Sequence, residues 1–169
     1  MSLPHAMRKY HFLLAGLVLF FDRLTKLLVA RNILLHDSLV VLPGFFRLTH
    51  VQNRGPAFGL LSESPSSWTV GMLILFSLAA LVVVSLLLWR NSHAMNTTGV
   101  GLALILGGAL GNLWDRVVDG RVVDFLDFYV GTYHWPAFNV ADSCISTGMV
   151  ILLLYSLLVH DEARDHARA

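Results

Sequence analysis

The sequence predicts an all-α membrane protein in which four transmembrane helices form a bundle, with a small antiparallel β insert between the first two. The chain of 169 residues is 56% hydrophobic and only 14% charged, with a mean hydropathy of +0.66, which is too apolar for a soluble domain of this length. Four apolar runs are candidates for crossing a hydrocarbon core of ~30 Å, at about 10–30, 68–89, 99–114 and 141–159. Residues 1–169 are therefore expected to form a single integral membrane domain.

The charge and cysteine content exclude two classes of protein. The formal net charge is +1 and the Lys and Arg residues are dispersed, so no basic surface for nucleic acid is predicted. The single cysteine, Cys144, cannot form an internal disulfide, and helix packing has to hold the fold. Arg8 and Lys9 before an apolar run resemble a signal peptide, but no small-x-small cleavage site follows, so a retained first span is expected.

The second half of the first span carries charges. Asp22 and Lys26 stand four residues apart on one helical face and can pair, with Arg23 beside them. Such a pair either eases the helix through the outer boundary of the membrane or supports a nearby functional site. The spacing alone does not decide between these two interpretations.

The insert at about 33–65 has the pattern of β structure. Pro43-Gly44 is a turn signal, residues 46–52 alternate apolar with polar, and residues 38–42 provide a partner strand. We expect an antiparallel hairpin that lies on the membrane surface, since a lone hairpin is marginal in water. Residues 53–56 then turn the chain toward an apolar stub at 57–61.

The remaining spans differ in their packing signals. The run 68–89 has no charge, and the third span contains Gly107 and Gly111 in a GxxxG pattern that is typical of closely packed membrane helices rather than of catalysis. The tryptophans fall at predicted span ends, where indole rings favour the membrane interface: Trp68, Trp89, Trp114 and Trp135.

Four spans place both termini and the 90–98 link on one side of the membrane. The insert at 31–67 and the loop at 115–140 then share the other side. Lys and Arg residues are balanced between the two sides, and the basic start without a cleavage site favours a cytoplasmic N-terminus.

Acidic and amide residues gather on that shared surface, next to apolar segments where polar groups are costly. They are Asp115, Asp119, Asp124, Asp127 and Asp142, with Asn53, Asn112, Asn139 and Arg116. Two carboxylates a few Å apart cannot both ionise cheaply, so one keeps its proton. Such a pair can activate a water molecule and hydrolyse an amide without a metal or a covalent intermediate.

The sequence pattern leaves the identity of the two acids open. Asp119 precedes Gly120 and looks like a turn residue, and Asp115 can simply form an ion pair with the adjacent Arg116. Either Asp124 or Asp127 can face the site. Asp142 can be only the N-cap of the fourth span, a role that Asn139 or Ser143 fills equally well.

Other chemistries are less well supported by the sequence. The histidines at 36, 50 and 134 are dispersed and no HExxH spacing occurs, so no metal or cofactor is predicted. Cys144 with His134 and Asn139 resembles a thiol-protease set, but a cysteine in the first turn of an apolar span carries little thiolate. A small proton-coupled transporter or a membrane scaffold is the alternative from another class; against it, the sequence contains no repeat and the acids gather at one face.

Four blocks of the sequence resemble one known family. GGALGNLWDRVVDGRVVDF and FNVADS, together with DRLTK in the first span and NRGPAFG after the hairpin, are similar to the lipoprotein signal peptidases, or signal peptidase II. The resemblance implies a bacterial inner-membrane aspartic peptidase that cuts prolipoproteins before a diacylglyceryl-modified cysteine and is inhibited by globomycin. We further expect no cofactor, membrane lipid as a partner, a monomer, cytoplasmic termini and a site near the extracytoplasmic face.

The resemblance also implies roles for individual residues. The catalytic pair falls on Asp124, in VVDF, and Asp142, in NVADS. The supporting and substrate-binding positions are Asp22, Lys26, Asn53, Asn112, Asp115, Arg116 and Asn139. Pro56 departs from the family pattern, which has an alanine there, and Cys144 matches no functional residue.

Overall fold

A computed structural model describes residues 4–55, 67–91 and 96–166. The helices are α1, Pro4–Asn32; α2, Ser67–Arg90; α3, Thr97–Val118; and α4, Val140–His166. The strands are β1, Ser38–Leu42; β2, Phe46–Asn53; β3, Val122–Val130; and β4, Tyr133–His134. Pro56, the predicted stub at 57–61 and residues 92–95 of the link lie outside the described residues.

Each predicted span lies within a helix. α2, α3 and the Val140–Val159 part of α4 are long and apolar enough to cross a membrane, and the chain is an integral membrane protein. α1 is longer still but carries Asp22, Arg23 and Lys26 in its second half. α3 extends beyond the predicted third span to Val118 and includes Asp115 and Arg116.

α3 is the central helix, in contact with α1, α2 and α4. The GxxxG prediction of a packing face is confirmed: a Cβ on Gly107 would lie 2.5 Å from the carbonyl oxygen of Ala15, and one on Gly111 would lie 2.4 Å from Asp22 Oδ2. Gly108 has the same relation to α4, since its Cβ would lie 2.5 Å from the Ala141 carbonyl oxygen. Because these glycines have no side chain, α1 and the start of α4 can pack closely against α3.

The strands form one antiparallel sheet in the order β1-β2-β3-β4. The predicted hairpin is confirmed as β1 and β2, with Leu39 opposite Leu48. The 115–140 segment, expected as a loop, instead contains β3 and β4, and β3 pairs with β2 from Phe46 opposite Phe128 to Asn53 opposite Val122. The insert and this segment therefore lie side by side, joined by backbone hydrogen bonds.

Two local predictions near the sheet have different outcomes. Asp119 is confirmed as a turn residue: it caps the C-terminus of α3, and Gly120 follows with φ +67°. The expected position of Trp135 at a helix end is wrong, because this residue follows β4, where its N–H donates to the Phe128 carbonyl at 2.8 Å.

Candidate active site

β3 carries two acids to different surroundings. Both acids are buried, but Asp124 lies opposite Val51, whereas Asp127 lies opposite Arg47 and accepts a hydrogen bond from its Nε at 2.6 Å. Between them the N–H groups of Phe125 and Leu126 both donate to the Phe138 carbonyl, at 3.0 and 2.8 Å, as in a β-bulge. Of the two candidates left open by the sequence, Asp124 contacts Asn53 and Asn139, whereas Asp127 contacts Arg47 and His134.

The first turn of α4 holds the second acid. Asn139 caps the helix: its Oδ1 accepts from the Asp142 N–H at 3.0 Å, and Asp142 Oδ2 accepts from the Asn139 N–H at 3.3 Å. This reciprocal capping box satisfies two helix N–H groups. The alternative in which Asp142 is the N-cap is wrong, because Asn139 occupies that position and Asp142 lies inside the first turn.

Neutral amides contact every carboxylate oxygen of the two acids. Asp124 Oδ1 accepts from Asn139 Nδ2 at 2.7 Å, and Asp124 Oδ2 accepts from Asn53 Nδ2 at 3.0 Å. Asp142 Oδ1 accepts from Asn112 Nδ2 at 2.8 Å, while its Oδ2 takes the Asn139 N–H. Asn139 therefore contacts both acids and holds them in one cluster.

The orientation of each asparagine amide is fixed from its oxygen side. Oδ1 of Asn53 accepts from the Gly55 N–H at 2.7 Å, that of Asn139 accepts from the Asp142 N–H, and that of Asn112 accepts from Lys26 Nζ at 3.0 Å. Because these partners donate hydrogen bonds, each NH₂ group has to face a carboxylate. The turn at Gly55, the cap of α4 and the Lys26 ammonium group thus orient three amide donors toward the acid pair.

The surroundings of Asp124 favour its protonated form. Burial of the carboxyl and the nearby negative charge of Asp142 raise the pKa of Asp124 from 3.8 to about 7, although the Asn53 and Asn139 hydrogen bonds and the charge of Lys26 act in the opposite direction. Near neutral pH the pair can therefore hold one proton. One protonated and one ionised carboxyl are the two groups that general acid–base catalysis needs.

A second acid pair lies beside the first and is held by cations. Lys26 Nζ contacts Asp22 Oδ2 at 2.7 Å and Asp115 Oδ2 at 2.8 Å, and Arg23 Nη1 donates to Asp115 Oδ1. The other oxygen of Asp22 accepts from the Ala141 N–H of α4 at 2.9 Å. The predicted Asp22–Lys26 pair is confirmed, but Asp115 pairs with α1 and not with the adjacent Arg116.

Arg116 points toward a different part of the cluster. Its guanidinium donates to the carbonyls of Asn112 and Gly55, at 3.3 and 3.5 Å, and its buried Nε has no hydrogen-bond partner in the described part of the chain. It lines a groove of about 400 Å³ between α2, α3 and α4. The groove walls are apolar, including Leu73, Phe76 and Met149, and Asn112, Arg116 and Asp142 lie in its lining.

The structure brings all nine predicted site residues into this one region, through the contacts above. Sequence reasoning missed the roles of Arg23 and Gly111, which respectively pair with Asp115 and leave room for Asp22. His134 lies against Asp127 and Arg47, so it does not form the thiol-protease set with Cys144. Residues 4–55, 67–91 and 96–166 contain no group of three or more His, Cys, Asp or Glu arranged to hold a metal ion.

Comparison with known proteins identifies the family. The family model described as signal peptidase (SPase) II matches residues 14–158. Proteins named lipoprotein signal peptidase from Solibacter usitatus and Desulforapulum autotrophicum are 45% and 47% identical, over 83% and 85% of this chain and 85% and 88% of their own. A bacterial membrane enzyme solved by the in meso method at 2.3 Å resolution matches with a TM-score of 0.78 and 31% identity, over 88% of each chain. The chain belongs to the signal peptidase II family and is a membrane peptidase.

Proposed function

We propose that the protein removes signal peptides from prolipoproteins, cutting before a diacylglyceryl-modified cysteine, with Asp124 and Asp142 as the catalytic pair. The observation that carries this proposal is the pair of buried carboxylates that neutral amides hold together through Asn139. The names of the relatives supply the substrate class. The transporter and scaffold alternatives are not favoured, since the family is one of peptidases.

The amide-held pair suits hydrolysis by an activated water. The ionised carboxylate takes a proton as the water oxygen bonds to the scissile carbonyl carbon, and the protonated carboxyl donates to the carbonyl oxygen. The C–N bond then breaks, and the leaving amine receives the proton that came from water. The hydroxyl formed on the carbonyl oxygen returns its proton to the pair as the C=O bond forms again. With the pKa of Asp124 near 7, both forms are available at physiological pH.

Arg116 and the groove supply binding surfaces for the substrate. Nε of Arg116, which has no hydrogen-bond partner among the described residues, is a donor for a substrate backbone carbonyl. The apolar walls between α2 and α4 accept hydrocarbon, and the groove reaches Asp142. We assign the groove to the apolar part of the substrate next to the cleavage site.

The proposed setting is the bacterial inner membrane, with α1 as a fourth span. Both termini are then cytoplasmic, and the sheet with the acid pair lies near the extracytoplasmic face. In this proposal residues 1–169 act as one domain and as a monomer. The cation-held acids Asp22 and Asp115, with Lys26, support the catalytic pair and do not contact the substrate.

Cleavage of a diacylglyceryl-modified prolipoprotein by the purified protein in detergent tests this proposal. We expect Asp124→Asn and Asp142→Asn to lower turnover by about 10³-fold or more, because each removes one member of the acid–base pair. Asp127→Asn is the matched control on the same strand and should retain turnover within a few-fold. Folded Asp124→Asn protein that still cuts at the wild-type rate would show that the site is wrongly assigned.

The substrate and inhibitor provide two further controls. The same prolipoprotein without its diacylglyceryl group should remain uncut, and globomycin should block cleavage by the wild type. Equal cleavage of both substrates would show that the enzyme does not require the diacylglyceryl group, and it would not affect the assignment of the catalytic pair.

A further inference from the structure

One end of the sheet exposes large apolar side chains far from the acid pair. We name as the aromatic end the residues Leu42, Phe45, Val130, Tyr133 and Trp135. Their exposure lies between 51 and 71%. From Asp124 to Val130, β3 runs six residues, or about 20 Å at ~3.3 Å per residue, so this surface is separate from the catalytic site.

The two turns that form the aromatic end are fixed to each other. The turn from β1 to β2 and the turn from β3 to β4 lie at the same end of the sheet, because Phe46 pairs with Phe128. Tyr129 Oη accepts from the Gly44 N–H at 3.1 Å, and the Tyr129 N–H donates to the Phe45 carbonyl at 2.9 Å. The exposed side chains therefore belong to one preformed surface and not to two independent loops.

Charges are absent from this surface in the sequence and are neutralised behind it. Residues 38–46 and 128–133 contain no Asp, Glu, Lys or Arg. Arg47 is the nearest cation in β2, and it is paired with Asp127, whose carboxylate also lies 3.0 Å from His134 Nδ1. A surface of Trp, Tyr and aliphatic side chains with no free charge has the composition of a membrane-interface belt.

The position of the sheet indicates what covers this surface. α1 ends at Asn32 and β1 begins at Ser38, and α3 ends at Val118 and β3 begins at Val122, so short connections tie the sheet to helix ends. A bilayer around those helices would therefore border the sheet where it joins α1 and α3. β1 continues the apolar surface toward α1, since Leu39, Val40 and Val41 are also exposed.

We propose that the aromatic end is a lipid-contacting surface that inserts Trp135 and its neighbours into the headgroup–acyl boundary of the bilayer. The sheet then lies along the membrane and not upright in water, with helix ends at one side and the aromatic end at the other. This inference rests on the proposed placement of the sheet at the membrane surface. It adds a second lipid contact that fixes the acid pair at a constant depth.

Fluorescence quenching of Trp135 tests the inference without any peptidase assay. A variant with Trp68, Trp89 and Trp114 changed to Phe retains only Trp135, and a second variant retains only Trp89 as a membrane reference. Both are placed in phosphatidylglycerol–phosphatidylethanolamine vesicles with acyl chains brominated near the headgroup. We expect Trp135 to be quenched by the bromine atoms within about twofold of Trp89 and to be several-fold less accessible to aqueous acrylamide than free tryptophan.

Two results would overturn the inference. Full acrylamide quenching of Trp135 with no effect of the brominated lipid would place the aromatic end in water. Shielding from both quenchers that disappears on dilution with lipid would show that a second copy of the chain covers it. If the single-tryptophan variant fails to fold, Trp135→Phe in the otherwise unchanged protein gives the same answer by the loss of lipid-quenchable emission.

The quenching result and the peptidase result are independent. Loss of cleavage with normal Trp135 quenching would contradict the proposed function alone, whereas normal cleavage with a water-exposed Trp135 would contradict only the lipid contact.

Discussion

Two pairs of buried acids lie side by side in this protein and are held in opposite ways. Asp22 and Asp115 are neutralised by Lys26 and Arg23, whereas Asp124 and Asp142 receive hydrogen bonds from neutral amides and one backbone N–H. A cation in direct contact compensates the charge of a buried carboxylate. Amides orient a carboxyl group without supplying that charge, so a proton can remain on the pair.

The two pairs have different roles: the cation-held pair joins helices, and the amide-held pair is the one for which we propose a role in catalysis. The cation-held pair joins α1 to α3 and, through the Ala141 N–H, to the start of α4. The amide-held pair lies on β3 and α4, and Asn112 links it to Lys26 by hydrogen bonds. Lys26 therefore contacts Asp22 and Asp115 directly, whereas it reaches the amide-held pair through Asn112 and through the longer-range effect of its charge on Asp124.

The largest expected contrast is between Asp124→Asn and Asp22→Asn. The raised pKa of Asp124 means that its ionised form destabilises the folded state, and this cost develops as pH rises from about 4 to about 7. At pH 8 Asp124→Asn should therefore abolish activity while keeping or raising the melting temperature. Asp22→Asn should lower the melting temperature, because the loss of a charged hydrogen bond reduces the free energy of unfolding by about 2 kcal/mol.

Thermal unfolding in detergent at pH 8, with cleavage measured on the same samples, checks this contrast. A lower melting temperature for Asp124→Asn than for Asp22→Asn would mean that the amide-held pair is the structural one.

The next effect comes from removing the shared cation. Lys26→Met leaves Asp22 and Asp115 buried with less compensation, and breaking a buried pair in this way costs about 3–5 kcal/mol. Arg23→Gln is the matched control and should cost less, because Arg23 is 28% exposed and Lys26 still contacts Asp115. Equal melting temperatures for Lys26→Met and the wild type would contradict a structural role for the cation-held pair.

A smaller effect is expected from Asn139, which contacts both members of the proposed catalytic pair. Asn139→Ala removes the hydrogen bond to Asp124 Oδ1 and the helix cap, so we expect kcat to fall by about 10- to 100-fold and stability to fall by about 1 kcal/mol. Ser143→Ala removes only the hydroxyl bond to the Asn139 carbonyl in the same turn. Steady-state kinetics that show the same kcat for both variants would deny Asn139 a positioning role.

The helices and the first hairpin were predictable because their signals are local. Apolar runs of sufficient length mark the spans, and alternation at 46–52 marks β2. β3 was missed because Val122–Val130 does not alternate: its acids stand three residues apart and two of its N–H groups share the Phe138 carbonyl. Its partner β2 also lies some 70 residues earlier in the chain.

The candidate site was predictable only in part. Polar residues near apolar segments indicated the region, but pattern alone left Asp124 and Asp127 equivalent, and it suggested Arg116 as the partner of Asp115. Both acids on β3 are buried, so burial does not distinguish them. Their hydrogen-bond partners do: Asn139 contacts Asp124 and Arg47 contacts Asp127, and both partners lie in other elements of the fold. The resemblance to the family named Asp124 and Asp142, and the amide and cation contacts gave each of the supporting residues a physical role.

The most direct test of the amide-held pair is the pH dependence of kcat/KM between pH 5 and 9. The account predicts an alkaline limb near pH 7, where the proton of the pair is lost. Asn53→Ala removes a donor that lowers the pKa of Asp124, so its limb should move to higher pH, while Asp127→Asn should leave the limb unchanged. A wild-type profile that stays flat to pH 9, or a limb that Asn53→Ala moves to lower pH, would contradict the shared proton.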